Sequence, residues 1–233
     1  SGVKARVIDS LLFRHWTEWR NGKRTHLFIT ELPADLAEGH RKAPRDLTPG
    51  DFDAPPLITR NSSRWFDVSP DSKTVAFTRS PARNVEAWST DTDLCLVAVE
   101  GGAIRNITEA NKGWDGTPTF SPDGRFIAFR SQAREGYESD KFRLALYDVA
   151  EGRISLLADN LDRSVDEILW SADGGTIYFS AEGEGEAALY AVEPTPDATA
   201  RRIFVSSHFG VLSRPRDGGF LVASVSTLLR PPE

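Results

Sequence analysis

A short turn recurs along this chain at intervals that constrain it to a repeating, strand-based architecture. Ser69-Pro70-Asp71-Ser72, Ser121-Pro122-Asp123-Gly124 and Ser171-Ala172-Asp173-Gly174 are three copies, and a worn fourth lies around Asp217-Gly218. The four aspartates stand 52, 50 and 44 residues apart. Four positions beyond each comes Val75, Ile127, Ile177 or Leu221, and two further on Phe77, Phe129, Phe179 or Ala223. Three positions before the aspartate stand Val68, Phe120 and Trp170, with Arg214 breaking the series. Proline presets φ for a turn, aspartate can bond the backbone just ahead of it, and glycine accepts positive φ. Period-two alternation on both sides marks the flanks as strands.

A second hairpin pattern follows each of these. It reads Asp93 to Thr108, Arg143 to Ala158 and Ala188 to Phe204, with an earlier, longer-looped example from His26 to Thr48. Two hairpins per unit make a four-stranded antiparallel meander, and such units repeated around an axis make a β-propeller. The expected fold is therefore all-β: a partial propeller of TolB or WD type in residues 1–233. Complete blades are expected at about 65–108, 118–158 and 168–204, with partial blades at about 7–48 and 208–228. An all-β sandwich is the rival, and four turn copies in phase argue against it. Both ends cut through blades and the chain contains no methionine, so it is expected to be a processed or excised portion of something longer. Such a portion closes imperfectly on itself or leaves strand edges for a neighbouring chain to cover.

Composition removes several classes of function. A net charge of −6 is the wrong sign for a nucleic-acid binder. No apolar run approaches the ~18 residues of a membrane span, and Ser1 to Ser10 lacks the pattern of a secretory signal. The single cysteine, Cys95, rules out an internal disulfide and sits in an apolar strand pattern, where a buried structural thiol is expected. No acidic loop has the spacing of a calcium loop, so neither metal nor cofactor is expected.

Longer segments narrow the reading further. Phe13 to Phe28, Arg45 to Pro56, Glu86 to Val97, Asn111 to Leu144 and Leu161 to Phe179 resemble the propeller domain of prolyl oligopeptidase family serine peptidases. The likeness is to the dipeptidyl peptidase and acylaminoacyl peptidase branch and covers almost the whole chain. The Ser-Pro-Asp-Gly turns are shared with other propellers; Ala87-Trp88-Ser89-Thr90 and Gly136-Tyr137-Glu138-Ser139-Asp140 are more discriminating. The resemblance implies a C-terminal α/β-hydrolase domain with a Ser–Asp–His triad as the partner, and a peptide as substrate. This chain has no G-x-S-x-G elbow, and none of His15, His26, His40 and His208 accompanies a nucleophile motif. No catalytic residue is assigned, and the chain alone is expected to be inactive. Similar peptidases tilt the compartment toward the periplasm or the exterior.

Meander strands reverse direction, so alternate connections emerge at opposite ends. The Ser-Pro-Asp-Gly turns fall at one end. At the other fall the loops 15–25, 80–92, 132–141 and 182–186 and the inter-blade connectors. These carry much of the acid, including Asp51, Asp53, Asp91, Asp115 and Asp166, together with Trp16, Trp19, Trp88, Trp114 and Tyr137. Such an end suits docking of a hydrolase domain on aromatic anchors, or pairing of a carboxylate with a peptide's ammonium terminus. Glu86 beside Trp88 is the first candidate for that pairing and Glu138 beside Tyr137 the second; the alternative is a solvated rim. Arg134 is expected to pair with Glu138 or Asp140 and stiffen its loop. Two other functions fit the same end: a stand-alone TolB-like propeller for protein–protein binding, and a sugar-binding propeller.

Overall fold

The computed structural model describes residues 5, 7–9, 11, 13–15, 18–19, 22–32, 43–56, 64–80, 87–159 and 161–227. Among them there is no helix. Four short strands come first: β1 (Arg14–His15), β2 (Glu18–Trp19), β3 (Phe28–Ile29) and β4 (Arg45–Asp46). β1 pairs with β2 and β3 with β4. The β1–β2 hairpin, in which Arg14 pairs with Trp19, overlaps the start of the 15–25 segment expected to be a loop.

Three four-stranded antiparallel sheets follow, each in simple sequence order. Blade 1 holds β5 (Phe66–Val68), β6 (Thr74–Arg79), β7 (Asp93–Ala98) and β8 (Arg105–Asn106). Blade 2 holds β9 (Asp115–Phe120), β10 (Phe126–Ser131), β11 (Arg143–Asp148) and β12 (Arg153–Leu157). Blade 3 holds β13 (Ser164–Trp170), β14 (Ile177–Gly183), β15 (Glu186–Val192) and β16 (Arg201–Ser206). A final pair, β17 (His208–Ser213) and β18 (Val222–Ser226), forms a two-stranded sheet. The fold is a partial β-propeller of four-stranded blades.

The arrangement follows from where each strand sends its two faces. Side chains alternate along a strand, and in the central strands β6, β7, β10, β11, β14 and β15 both faces are buried, while the outermost β12 and β16 are largely exposed. From β6 and β7, Val75, Phe77, Cys95 and Val97 pack back against Leu47 and Ala54. Their neighbours Ala76, Leu94 and Leu96 pack forward against Ile127, Phe129 and Tyr147 of blade 2. Blade 2 repeats the division: Ala128, Leu144 and Leu146 face Trp170, Ile177 and Phe179 of blade 3. Blade 3 sends Ala187 and Leu189 against Phe209 and Leu212. A strand buried on both faces needs a continuous apolar run, which is why Leu94 to Val97 reads as one.

The recurring turn is built alike in all three blades. Its serine hydroxyl donates to the aspartate two residues on, at 2.6 Å in Ser69–Asp71, Ser121–Asp123 and Ser171–Asp173. The same oxygen accepts the backbone N–H five residues ahead, from Thr74, Phe126 and Thr176. The aspartate accepts the N–H of Lys73, Arg125 or Gly175. Consecutive turns touch: a Cβ placed on Gly124 would meet Pro70 Cδ at 3.5 Å, and one on Gly174 would meet Pro122 Cδ at 3.5 Å. The fourth turn departs where the sequence does. Arg214 reaches across to the Trp170 and Pro215 carbonyls, and β17 and β18 pair with a register shift between Phe209 and Leu212.

Candidate functional site

At the end opposite the turns, the β6–β7 and β10–β11 loops are joined by a hydrogen bond from a backbone N–H of one to a threonine hydroxyl of the other. Residues 81–86 of the first loop, and with them Glu86, the leading amine-anchor candidate, lie outside the described residues. Trp88, Tyr137 and Glu138 lie within them. Trp88 is 73% exposed and Tyr137 45% exposed; Trp19, Phe28, Phe66, Phe204 and Phe220 are exposed rings elsewhere, and what sets Trp88 and Tyr137 apart is that they stand on two adjoining loops. Glu138 is exposed too.

The β10–β11 loop has its own scaffold. Gln132 is buried, and its amide Nε2 donates to the Asp140 carbonyl at 2.6 Å and the Glu138 carbonyl at 3.2 Å. The Asp140 carboxylate accepts the N–H groups of Ala133 at 2.9 Å and Arg134 at 3.0 Å. Burial alone would raise the pKa of Asp140, but these donors and that of Lys141 outweigh it and hold the group below the usual carboxylate range. The Arg134 guanidinium stacks on the Tyr137 ring, 4.1 Å from its centroid. Arg134 therefore stiffens the loop by covering an aromatic ring, with its backbone rather than its charge bonded to Asp140.

Gly136 couples the two loops. Its N–H donates to Thr90 Oγ1 at 3.1 Å, and a Cβ on it would sit 3.5 Å from the Trp88 carbonyl oxygen. With φ at +69°, the position favours glycine. Tyr137 and Trp88 are thus presented on adjoining segments. Lys112 Nζ lies 3.9 Å from Asp91, which is half-buried.

Several residues expected at this end serve packing instead. Asp53 is fully buried, 3.0 Å from Arg24, and Asp115 is 1% exposed at the start of β9. Trp114 meets Trp65 and Phe142 edge-on, with the Arg130 guanidinium over both Trp114 and Phe142. Glu182 bonds His208, Glu184 pairs with Arg163, and Asp166 pairs with Arg130. Cys95 is fully buried and burial pushes its thiol up to about 12, so it stays protonated and unreactive.

Two features were not legible in the sequence. A small cavity of about 70 Å³ lies among Arg64, Thr117, Arg130, Asp166 and Glu167. Arg64 there donates to the Ile168 carbonyl at 2.8 Å and the Leu212 carbonyl at 3.3 Å, tying residues 104 and 148 positions away to the start of blade 1. A larger cleft of about 380 Å³ opens at the turn end between blades 1 and 2, lined in part by Asp71, Arg105, Phe120 and Asp123. Each draws its lining from separate blades, so no local motif announces it.

No family profile matches the chain. Curated relatives do. Dipeptidyl-peptidase 5 of Porphyromonas gingivalis is 34% identical over 188 residues, 80% of this chain and 27% of the relative. Its counterpart in Porphyromonas endodontalis is 31% identical over 230 residues, 98% of this chain and 32% of the relative. Among solved structures, an oligogalacturonate lyase superposes with a TM-score of 0.59 at 15% identity, over 83% of this chain and 52% of that one. A Bacteroides ovatus protein described as a dipeptidyl aminopeptidase IV gives 0.55 at 16% identity, over 83% of this chain and 28% of that one. At such identities the structures speak to fold alone, as their different activities illustrate. The chain is a β-propeller portion related in sequence to the dipeptidyl-peptidase 5 proteins, and it spans about a third or less of the length of those relatives.

Proposed function

We propose that this chain is the non-catalytic propeller portion of a serine exopeptidase or oligopeptidase, which docks an α/β-hydrolase domain and helps to select the peptide admitted to it. The observation that carries the reading is the coupled pair of loops, in which Trp88 and Tyr137 stand exposed beside acidic side chains at one end of the blades. Exposed rings on a stiffened backbone offer contact area at low entropic cost, the property of an interface anchor or a substrate wall. A carboxylate beside such a wall suits a peptide's ammonium terminus, and Glu86 and Glu138 are the assigned candidates. Relatives named dipeptidyl peptidases support the substrate class.

The test uses the full-length parent enzyme. Glu86→Gln is expected to lower kcat/KM about tenfold or more for dipeptidyl substrates with a free amino terminus, and to leave N-blocked substrates unchanged, since a charge-assisted bond contributes ~1.5–3 kcal/mol. An equal effect on both substrate types would remove the amine-anchor role. Trp88→Ala and Tyr137→Ala are expected to raise KM for both.

A further inference from the structure

Buried polar atoms without partners gather in the seam between blades 1 and 2. Thr78 Oγ1, Arg79 Nε, Asp91 Oδ1 and Asp115 Oδ2 are all buried there with no hydrogen bond. Thr117 Oγ1 and Arg130 Nε, orphaned as well, line the small cavity beside Arg64. Thr78 faces blade 2 directly, since a Cβ on Gly116 would lie 3.0 Å from its hydroxyl.

Asp115 is central to this seam. Its backbone joins the blades: its N–H donates to the Thr92 carbonyl at 3.0 Å, and Thr92 Oγ1 donates back to the Asp115 carbonyl at 2.9 Å. Its Oδ1 accepts from Asn111 Nδ2 at 3.0 Å, and the Ser131 and Thr108 hydroxyls also bear on the carboxyl. Among the described residues no cation is paired with it. The charged group facing it from blade 1 is another carboxylate, Asp93, whose own partner Arg79 stands at 3.4 Å. Further along the same seam, Asp91 feels Asp93, Lys112, Glu135 and Arg79. A buried carboxylate facing a second one, with one oxygen orphaned, is a poor place for a negative charge.

We infer that Asp115 is a proton-operated joint between blades 1 and 2, letting the seam close when neutral and working against closure when ionised. Burial, the largest cause, pushes its pKa up to about 6, with Asp93 adding to the rise and the hydroxyl and amide donors opposing it. The folded value lies above the unfolded one of ~3.9. The native seam therefore binds a proton that the opened seam releases. Closure is fully favoured below pH ~4 and weakens as pH rises through about 6. The joint lies beneath the aromatic end, because Thr92 is two residues from Thr90, the acceptor for Gly136. The proposal does not depend on that end being a substrate wall.

Hydrogen exchange on the purified 233-residue chain tests it, with rates corrected for the intrinsic pH dependence of exchange. Peptides covering 87–94 and 113–118 are expected to open about tenfold more often at pH 7.5 than at pH 5, while peptides in β14 and β15 show no such change. Asp115→Asn, which keeps the shape and removes the charge, is expected to abolish the difference. Wild-type seam protection that is the same at both pH values would overturn the proposal, as would a pH dependence that survives in Asp115→Asn. If that variant does not fold, carbon NMR of the wild-type aspartate carboxyls decides. A buried carboxyl titrating near pH 6 upholds the joint, and all carboxyls titrating below pH 4.5 refute it.

Discussion

Phe77, Phe129 and Phe179 show how one residue position sets a repeating fold. Each is at most 1% exposed and stands six residues past the turn aspartate, where its ring fills the space between consecutive blades. Replacing such a ring leaves a cavity that two sheets cannot both collapse into. Phe129→Ala is expected to cost about 3–5 kcal/mol in chemical denaturation. The turn serine has a different task, since one hydroxyl both donates and accepts. Ser121→Ala orphans the Phe126 N–H and releases Asp123, at an expected cost of about 1–2 kcal/mol. The pH response divides by residue as well. Asp71 and Asp173 are held low, first by their serine hydroxyls and then by backbone N–H groups. Their contribution is present above the ordinary carboxylate pKa and is lost as pH falls below it, opposite in sign to Asp115. Exchange in the turns should accordingly quicken in acid while the blade 1–2 seam slows.

At the scale of strands and loops, legibility follows the range of the interactions. Turn and strand positions could be read from the sequence because proline, aspartate, glycine and period-two alternation act within about ten residues. The loop end was only partly legible. The β6–β7 and β10–β11 loops do adjoin, but Asp53, Asp115 and Trp114 look like surface residues in sequence and are packed by partners 20 or more positions away. Gln132, whose amide holds the β10–β11 loop, has no neighbour that marks it as structural. Gly136 gives a direct check on loop coupling. Gly136→Val forces a β-branched residue into positive φ against the Trp88 carbonyl, and is expected to cost about 1–3 kcal/mol. It should also speed exchange in 87–92 without altering blade 3, as measured by hydrogen exchange.

For the molecule as a whole, burial of both faces of each sheet between its neighbours is the claim on which the functional reading stands, because it alone puts every turn at one end and the aromatic loops at the other. Arg64, bonding carbonyls of β13 and β17 from the start of blade 1, shows the inner strands converging on a common axis. Long-range convergence of this kind leaves no local trace in the sequence, so the cavities lined from separate blades carry no motif. Pulsed EPR distances between labelled cysteine pairs test the arrangement most directly, since buried, protonated Cys95 takes no label. With labels at positions 71, 123 and 173, a radial arrangement of blades gives equal 71–123 and 123–173 distances, both shorter than 71–173. A 71–173 distance equal to or shorter than either of the others would contradict it.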